Sequence, residues 1–209
     1  MIRVILADDH TIVRRGLVQI LNSDPGIEVI GEAASGDDVL RLLRSVKADV
    51  VVLDITMPGR NGLETLKEIR EMEPGLPVLI LSMHPSDQYA VRVLRAGASG
   101  YLTKESAPAE LVQAIKRAFR GQKYLSPEVA ELLAGYIQSG YDDEPHKRLS
   151  DREFEVFVSI GSGKSVSEIA EELYLSVKTI STYRSRILEK TGLANNAEIT
   201  RYCLENRLI

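Results

Sequence analysis

The run VILADDH, Val4 to His10, is an apolar stretch that ends in two adjacent carboxylates, Asp8 and Asp9. A second apolar run, DVVVLD, ends in a third, Asp54. Three clustered anions repel one another unless a cation sits among them. Hard oxygen ligands with room for water suit Mg²⁺, which takes one or two carboxylates, a carbonyl and phosphate oxygens. Two later apolar runs add groups that fit phosphate: Ser82 ends PVLILS and can donate its hydroxyl, and Lys104 follows SGYLT with a compact positive charge. Each has an ordinary reading alone, Asp8-Asp9 as a helix N-cap, Ser82 as a turn residue and Lys104 as a solvated side chain. Together they place an acid pair, an acid, a hydroxyl and a lysine at successive strand ends. Phosphoryl transfer needs an in-line nucleophile, which Asp54 can supply, and neutralisation of the equatorial oxygens, which Mg²⁺ and Lys104 can supply. The product would be an acyl phosphate.

The elements that must position these groups alternate in kind. Short apolar runs at 2–7, 27–33, 49–54, 77–82 and 99–103 read as strands. Between them, apolar residues recur at helical spacing: Ile12, Val13, Leu17, Ile20 and Leu21, then Leu40, Leu43 and Val46, then Leu63, Leu66 and Ile69, then Val91 and Leu94, then Leu111, Ile115 and Ala118. Such units predict an α/β doubly wound domain over residues 1–121, with five parallel strands covered on both faces. In that topology strands one and three are neighbours where the strand order reverses, so Asp8, Asp9 and Asp54 converge.

Past Gly121 the rhythm changes. Ser126-Pro127-Glu128 marks a helix start, and Val129, Leu132, Leu133 and Ile137 give it an apolar stripe. SGYDDEPHKR, 139–148, is polar and reads as a flexible connector, so 122–148 is taken as linker helix and connector. From 149 to 209 only helices are expected. Ser150…Glu153 and Ser165…Glu168 fit capping boxes, Ser176 caps a third helix that Gly192 ends, and Asn195 or Asn196 begins a fourth. Residues 165–193 therefore read as helix, short turn, helix. In the second of these helices Lys178, Arg184, Arg186 and Lys190 stand against Glu189, a local positive excess suited to phosphate. No acid follows Ser176 in the first turn, which leaves that N-terminus open to an anion.

Composition sets limits. With 209 residues and a net charge of −4, the chain has room for two modest cores and no global basic signature. The acids are concentrated in residues 1–146, while 147–209 are nearly neutral. A single cysteine, Cys203, excludes an internal disulfide and a cysteine-based zinc site, and it reads as a packing residue. No apolar run is long enough for a signal peptide or a membrane span, so the protein is expected in the cytoplasm with no membrane partner. A phosphatase using Asp54 as nucleophile would want a second Asp two residues on, where Thr56 stands. His10 and His84 lack helical ligand spacing, and His10 reads as a residue of the first helical turn.

Residues 2–121 resemble the receiver domain of bacterial two-component response regulators, a flavodoxin-like fold, through ADDH (7–10), LDITMPGRNG (53–62), LSMH (81–84) and GASGYLTK (97–104). The resemblance implies that Asp54 accepts a phosphoryl group from a sensor histidine kinase or phosphotransfer protein. It implies that Asp9, Asp54 and the Thr56 carbonyl ligate Mg²⁺, with Asp8 acting through water, and that Ser82 and Tyr101 form a switch pair beside Lys104. Glu105 stands where many receivers have proline. LSDREFEVF (149–157) and SVSEIAEELYLSVKTISTYRSRILEKTGL (165–193) resemble the DNA-binding domain of the NarL/FixJ (LuxR-type) regulators, and STYRSRILEK is similar to the GacA/UvrY branch. That pattern puts Ser181, Thr182 and Ser185 at base edges of double-stranded DNA, with Lys178, Thr179, Arg184 and Arg186 near its backbone. It makes the last helix, with Ile199, Tyr202, Cys203 and Leu204, a homodimer contact promoted by phosphorylation. The chain is thus expected to be a phosphorylation-controlled transcription regulator, not an enzyme acting on external substrates.

Overall fold

The structure, a computed structural model, describes residues 1–83, 87–126, 129–130, 144–206 and 208–209. These form two compact units, one built on a sheet and one of helices.

In the first unit, strands β1 (Ile2–Ala7), β2 (Ile27–Ala33), β3 (Val50–Asp54), β4 (Val78–Ser82), β5 (Gly100–Thr103) and β6 (Tyr124–Leu125) pair in the order β2-β1-β3-β4-β5-β6. Every ladder is parallel. The crossovers are helices α1 (Thr11–Asn22), α2 (Gly36–Ser45), α3 (Gly62–Met72), α4 (Asp87–Arg95) and α5 (Ala107–Phe119). β3 and β4 are buried along their whole length because helices cover both faces, which is why they are continuous apolar runs rather than alternating ones. Register aligns Asp54 with Leu81, and Ser82 with Thr103, so the ends of β3, β4 and β5 lie level.

Five strands are expected from the sequence and six are present. β6 escapes pattern reading because two residues carry no periodicity. It is held by its ladder to Gly100 and Tyr101 and by the Tyr124 hydroxyl, which donates to Glu110 Oε2 at 2.8 Å. Gly100 permits the approach, since a Cβ there would lie 2.6 Å from the Tyr124 carbonyl oxygen. A second difference is Ile12, assigned to the apolar face of α1. It is 88% exposed, while Leu17 and Leu21 carry the buried face. The Ser126 carbonyl accepts from Ala130 N at 3.0 Å. The rest of the linker helix and connector, 127–128 and 131–143, together with His84, lies outside the described residues.

The second unit opens on a 3₁₀ turn, Pro145–Arg148, followed by α6 (Asp151–Gly161), α7 (Val166–Glu172), α8 (Val177–Thr191) and α9 (Asn196–Glu205). Both serine capping boxes form, Ser176 Oγ accepts from Thr179 N at 3.0 Å, Gly192 ends α8 in the left-handed region at φ 74°, and Asn195 caps α9. Phe154, Phe157, Ile169, Ile180, Ile187, Ile199 and Cys203 make the core. α6 and α9 cross closely at Gly161, where a Cβ would lie 2.5 Å from Cys203 Sγ. The end of the stretch read as a flexible connector is ordered. His146 is fully buried, its Nδ1 is 2.9 Å from the Tyr202 hydroxyl, and its ring tilts against Phe154. One buried aromatic side chain is enough to fix a segment that otherwise reads as polar. Among the described residues no helix is long and apolar enough to cross a membrane.

Candidate functional site: an acid cluster with its lysine, and a helix-turn-helix

The carboxyl ends of β1 and β3, where strand order reverses, bring together what the sequence places 45 residues apart and more. Asp8 and Asp54 are buried, at 0% and 1% exposure. Lys104 reaches in from beyond β5, its Nζ 2.6 Å from Asp54 Oδ2 and 2.8 Å from Asp8 Oδ2. β5 delivers it through the hydrogen bond from Lys104 N to Ser82 O at 2.8 Å. Asp8 does not cap α1. Its Oδ1 accepts from His10 N at 2.8 Å, and His10 occupies the N-cap position without a side-chain cap. Thr56 N donates to Asp54 Oδ1 at 3.3 Å. The peptide bond between Lys104 and Glu105 is trans. Ser82 and Tyr101, the expected switch pair, are both buried.

The Asp54 loop is pinned by residues that the sequence reading passes over. Gly62 N donates to Ile55 O at 2.8 Å. A Cβ on Gly62 would lie 2.1 Å from the Asp54 carbonyl oxygen, so only glycine lets α3 start this close to the nucleophile. Asn61 and Glu64 form a full capping box there; the N-x-x-E spacing in RNGLE was the available signal.

Electrostatics set the cluster apart from a structural ion pair. Burial pushes the Asp54 carboxyl up to about 7; Lys104 opposes that shift, and Asp8 and Asp9 add to it. Burial works against the Lys104 charge too, but Asp54 and Asp8 hold its ammonium above the ordinary lysine range. Lys104 thus pairs with two of the three clustered carboxylates. Asp9 Oδ1 and Asp8 Oδ2 are buried without a hydrogen bond of proper alignment, although Lys104 Nζ lies near the latter. Oxygens left in this condition fit a divalent cation.

A stability consequence follows. The folded carboxyl of Asp54 titrates above its unfolded value of 3.8, so the stability its protonated form brings is present in acid and lost as pH rises toward 7. Asp54→Asn should therefore raise the melting temperature in metal-free buffer more at pH 8 than at pH 5. The expected difference is on the order of 2 kcal/mol. Thermal melts at the two pH values check this, and an equal gain at both contradicts it.

In the second unit, α8 presents Lys178, Ser181, Thr182, Ser185 and Arg186 on an exposed face, with Thr179 half-buried. Ser176, Lys178, Thr179, Thr182, Tyr183 and Arg186 line a groove along the first turns of the helix. The Thr182 hydroxyl donates to Lys178 O at 3.0 Å and that of Ser185 to Ser181 O at 3.1 Å, so both oxygens face outward as acceptors. Arg184 differs from the others. Its Nε donates to Asn196 Oδ1 at 2.6 Å, which ties it to the start of α9. Lys190, counted with the positive excess, is paired with Glu153 at 2.6 Å and does not act as a free charge. The α7–α8 turn places Tyr174 at φ 54°, a left-handed conformation that nothing in the sequence announces.

In the last helix Cys203 is a packing residue, as the sequence leads one to expect. Ile199 and Cys203 are fully buried in the unit's own core, and burial raises the Cys203 thiol to about 12. Leu204, at 61% exposure, is the apolar side chain of that set facing outward.

Comparison with known proteins agrees with both halves. Residues 4–116 match the family of response regulator receiver domains, and residues 147–203 match the luxR family of bacterial regulatory proteins. The response regulator GacA of Pseudomonas aeruginosa is 37% identical over 210 residues, covering 100% of this chain and 98% of that protein. The response regulator UvrY of Escherichia coli K12 is 37% identical over 209 residues, covering 100% of this chain and 96% of its own. Among solved structures, RcsB from Salmonella enterica serovar Typhimurium, bound to promoter P1flhDC in the presence of phosphomimetic BeF3-, aligns with TM-score 0.67 and 31% identity, over 96% of this chain and 97% of that one. A structure of two RcsB dimers bound to two parallel DNAs aligns with TM-score 0.60 and 31% identity, over 96% of each chain. With a receiver domain followed by a LuxR-type helix-turn-helix, the chain belongs to the two-component response regulators, the phosphorylation-controlled transcription regulators of which GacA and UvrY are members.

Proposed function

We propose that Asp54 accepts a phosphoryl group from a sensor histidine kinase or phosphotransfer protein in the cytoplasm, and that this promotes homodimerisation and binding of double-stranded DNA through α8. The observation that carries the reading is a buried carboxylate of raised pKa, paired with a lysine that also reaches Asp8 and flanked by Asp9, whose buried Oδ1 has no hydrogen bond. Asp54 attacks the donor phosphorus in line, and the donor's bond to phosphorus breaks with its electron pair on the leaving group. Lys104, 2.6 Å from Asp54 Oδ2, can supply positive charge to the new equatorial oxygens. Asp9, Asp54 and the Thr56 carbonyl, with Asp8 through water, would hold Mg²⁺. Bound there, the ion supplies the remaining charge neutralisation for the transferred group. The phosphoryl oxygens then offer acceptors to the Ser82 hydroxyl, and a shift of Ser82 makes room for Tyr101 to repack beside it. Exposure to a small acyl-phosphate donor with Mg²⁺, followed by sedimentation and gel shift on promoter fragments, tests the reading.

For dimerisation, the exposed Leu204 replaces the core residues Ile199 and Cys203 as the side chain expected to meet a partner copy. RcsB dimers on DNA set the precedent for assembly. Leu204→Arg should lower the dimer fraction of phosphorylated protein several-fold in sedimentation without moving the melting temperature. Ile199→Ala should instead destabilise the helical unit by about 2–5 kcal/mol. A Leu204→Arg protein that dimerises normally would move the contact elsewhere.

A further inference from the structure

We propose that His10 is a nitrogen donor of the divalent-cation site, giving it a stronger preference for nitrogen-seeking ions such as Co²⁺, Ni²⁺ and Zn²⁺ than Asp8, Asp9 and Asp54 alone would have. The inference rests on the reading of the acid cluster as a cation site and goes beyond it in naming the ligand set.

One ligand atom from each of Asp8, Asp9, His10 and Asp54 lies within 4.8 Å of all the others. Metal–ligand bonds of about 2.0–2.4 Å separate donors on opposite sides of one ion by about 4–5 Å, so a single cation can be reached by all four. Asp9 and Asp8 are nine-tenths buried or more, with side chains at 7% and 0% exposure, yet Asp9 Oδ1 and Asp8 Oδ2 have no well-aligned hydrogen bond. Asp8 Oδ2 has the Lys104 ammonium at 2.8 Å, so Asp9 Oδ1 is the buried oxygen of the pair without a hydrogen bond. His10 Nδ1 is 2.7 Å from Asp9 Oδ1, also without hydrogen-bond alignment, so neither atom is committed to the other.

The backbone of His10 is fixed on both sides. Its N–H donates to Asp8 Oδ1 at 2.8 Å, and its carbonyl accepts from Arg14 N at 2.9 Å. Its ring is 60% exposed beside Asp9. On the other flank Lys104 is already engaged with Asp54 and Asp8, and the Arg14 guanidinium is occupied by the Asp8 carbonyl and Glu32. Carboxylates and water suit Mg²⁺, whereas an imidazole added to them raises affinity along the first transition row. His10 thus tilts selectivity without being needed for Mg²⁺ itself.

The test titrates the full chain with MgCl₂ and separately with CoCl₂ by calorimetry, and follows the visible spectrum of bound Co²⁺. Wild type, His10→Ala and Asp9→Ala are compared. His10→Ala should lower Co²⁺ affinity about tenfold or more and leave Mg²⁺ affinity within about twofold, with the Co²⁺ bands moving to those of an all-oxygen site. Asp9→Ala should weaken both ions. If Asp9→Ala weakens both but His10→Ala leaves the Co²⁺ to Mg²⁺ ratio and the spectrum unchanged, His10 is not a ligand while the acid cluster stands as a cation site. If His10→Ala weakens both ions equally, its role is structural and the inference falls. If Asp9→Ala affects neither ion, the cluster reading fails and takes the inference with it.

Discussion

In Asp54→Asn, the single phosphoryl group gained by the wild-type chain from a small acyl-phosphate donor and Mg²⁺ should be absent from the intact mass. The reason is local. Asp54 ends the central strand β3 with no acid beside it in sequence, and Lys104 at 2.6 Å and Thr56 N at 3.3 Å hold its two oxygens. Asp8 and Asp9 are adjacent at the end of β1, where they are expected to hold the cation rather than attack. Asn has the same shape and cannot attack. The loss should be complete to the limit of detection, whereas Lys104→Ala should leave slow modification, because it removes charge stabilisation and not the nucleophile. Asp9→Ala should remove the dependence on Mg²⁺ along with most of the rate. A phosphoryl group persisting in Asp54→Asn would assign the nucleophile to another residue.

Much of this arrangement is legible in the sequence because α/β topology converts strand ends into a site. Once DVVVLD and PVLILS read as buried parallel strands, Asp54 and Ser82 must stand at the crevice, and the register of β3 with β4 adds only the level at which they meet. Helix starts are equally legible where a capping side chain declares them, as at Ser150, Ser165 and Ser176. What escapes is decided by tertiary packing. β6 exists because Gly100 leaves room beside β5, a fact about a neighbour 24 residues away rather than about Tyr124-Leu125. Ile12 has the spacing of a core residue, yet Leu17 and Leu21 carry the buried face of α1 and Ile12 is 88% exposed. His146 stands in a run of charges and is buried because Tyr202, 56 residues later, offers it a hydroxyl. Lys190 counts as positive charge until Glu153, itself a capping residue of α6, neutralises it. Charge counted along a helix overstates the footprint offered to DNA whenever another helix supplies the counter-ion.

With Lys190 paired and Arg184 tied to Asn196, the mobile positive charges of α8 are Lys178 and Arg186, which flank the groove that Thr182 also lines. A fragment of residues 144–209, keeping His146 in its core, should bind promoter DNA without phosphorylation. Lys178→Ala or Arg186→Ala should weaken binding to all sequences alike and flatten the plot of log affinity against log salt by about 0.9 for each phosphate that is no longer neutralised. Thr182→Ala and Ser185→Ala should act differently. Their hydroxyl hydrogens are used on Lys178 O and Ser181 O, so they face DNA as acceptors suited to the amino groups of adenine or cytosine. Removing one should change which base is preferred, by about 1–3 kcal/mol at one position, with the salt slope unchanged. Arg184→Ala should show a mixed result, lower affinity together with lower stability, because it also anchors α9. Fluorescence anisotropy across a salt series, on a promoter site and on single-base variants of it, reads all of these at once. If Arg186→Ala leaves the slope unchanged while Thr182→Ala weakens every sequence equally, α8 lies on the duplex in a different orientation from the one its exposed face indicates.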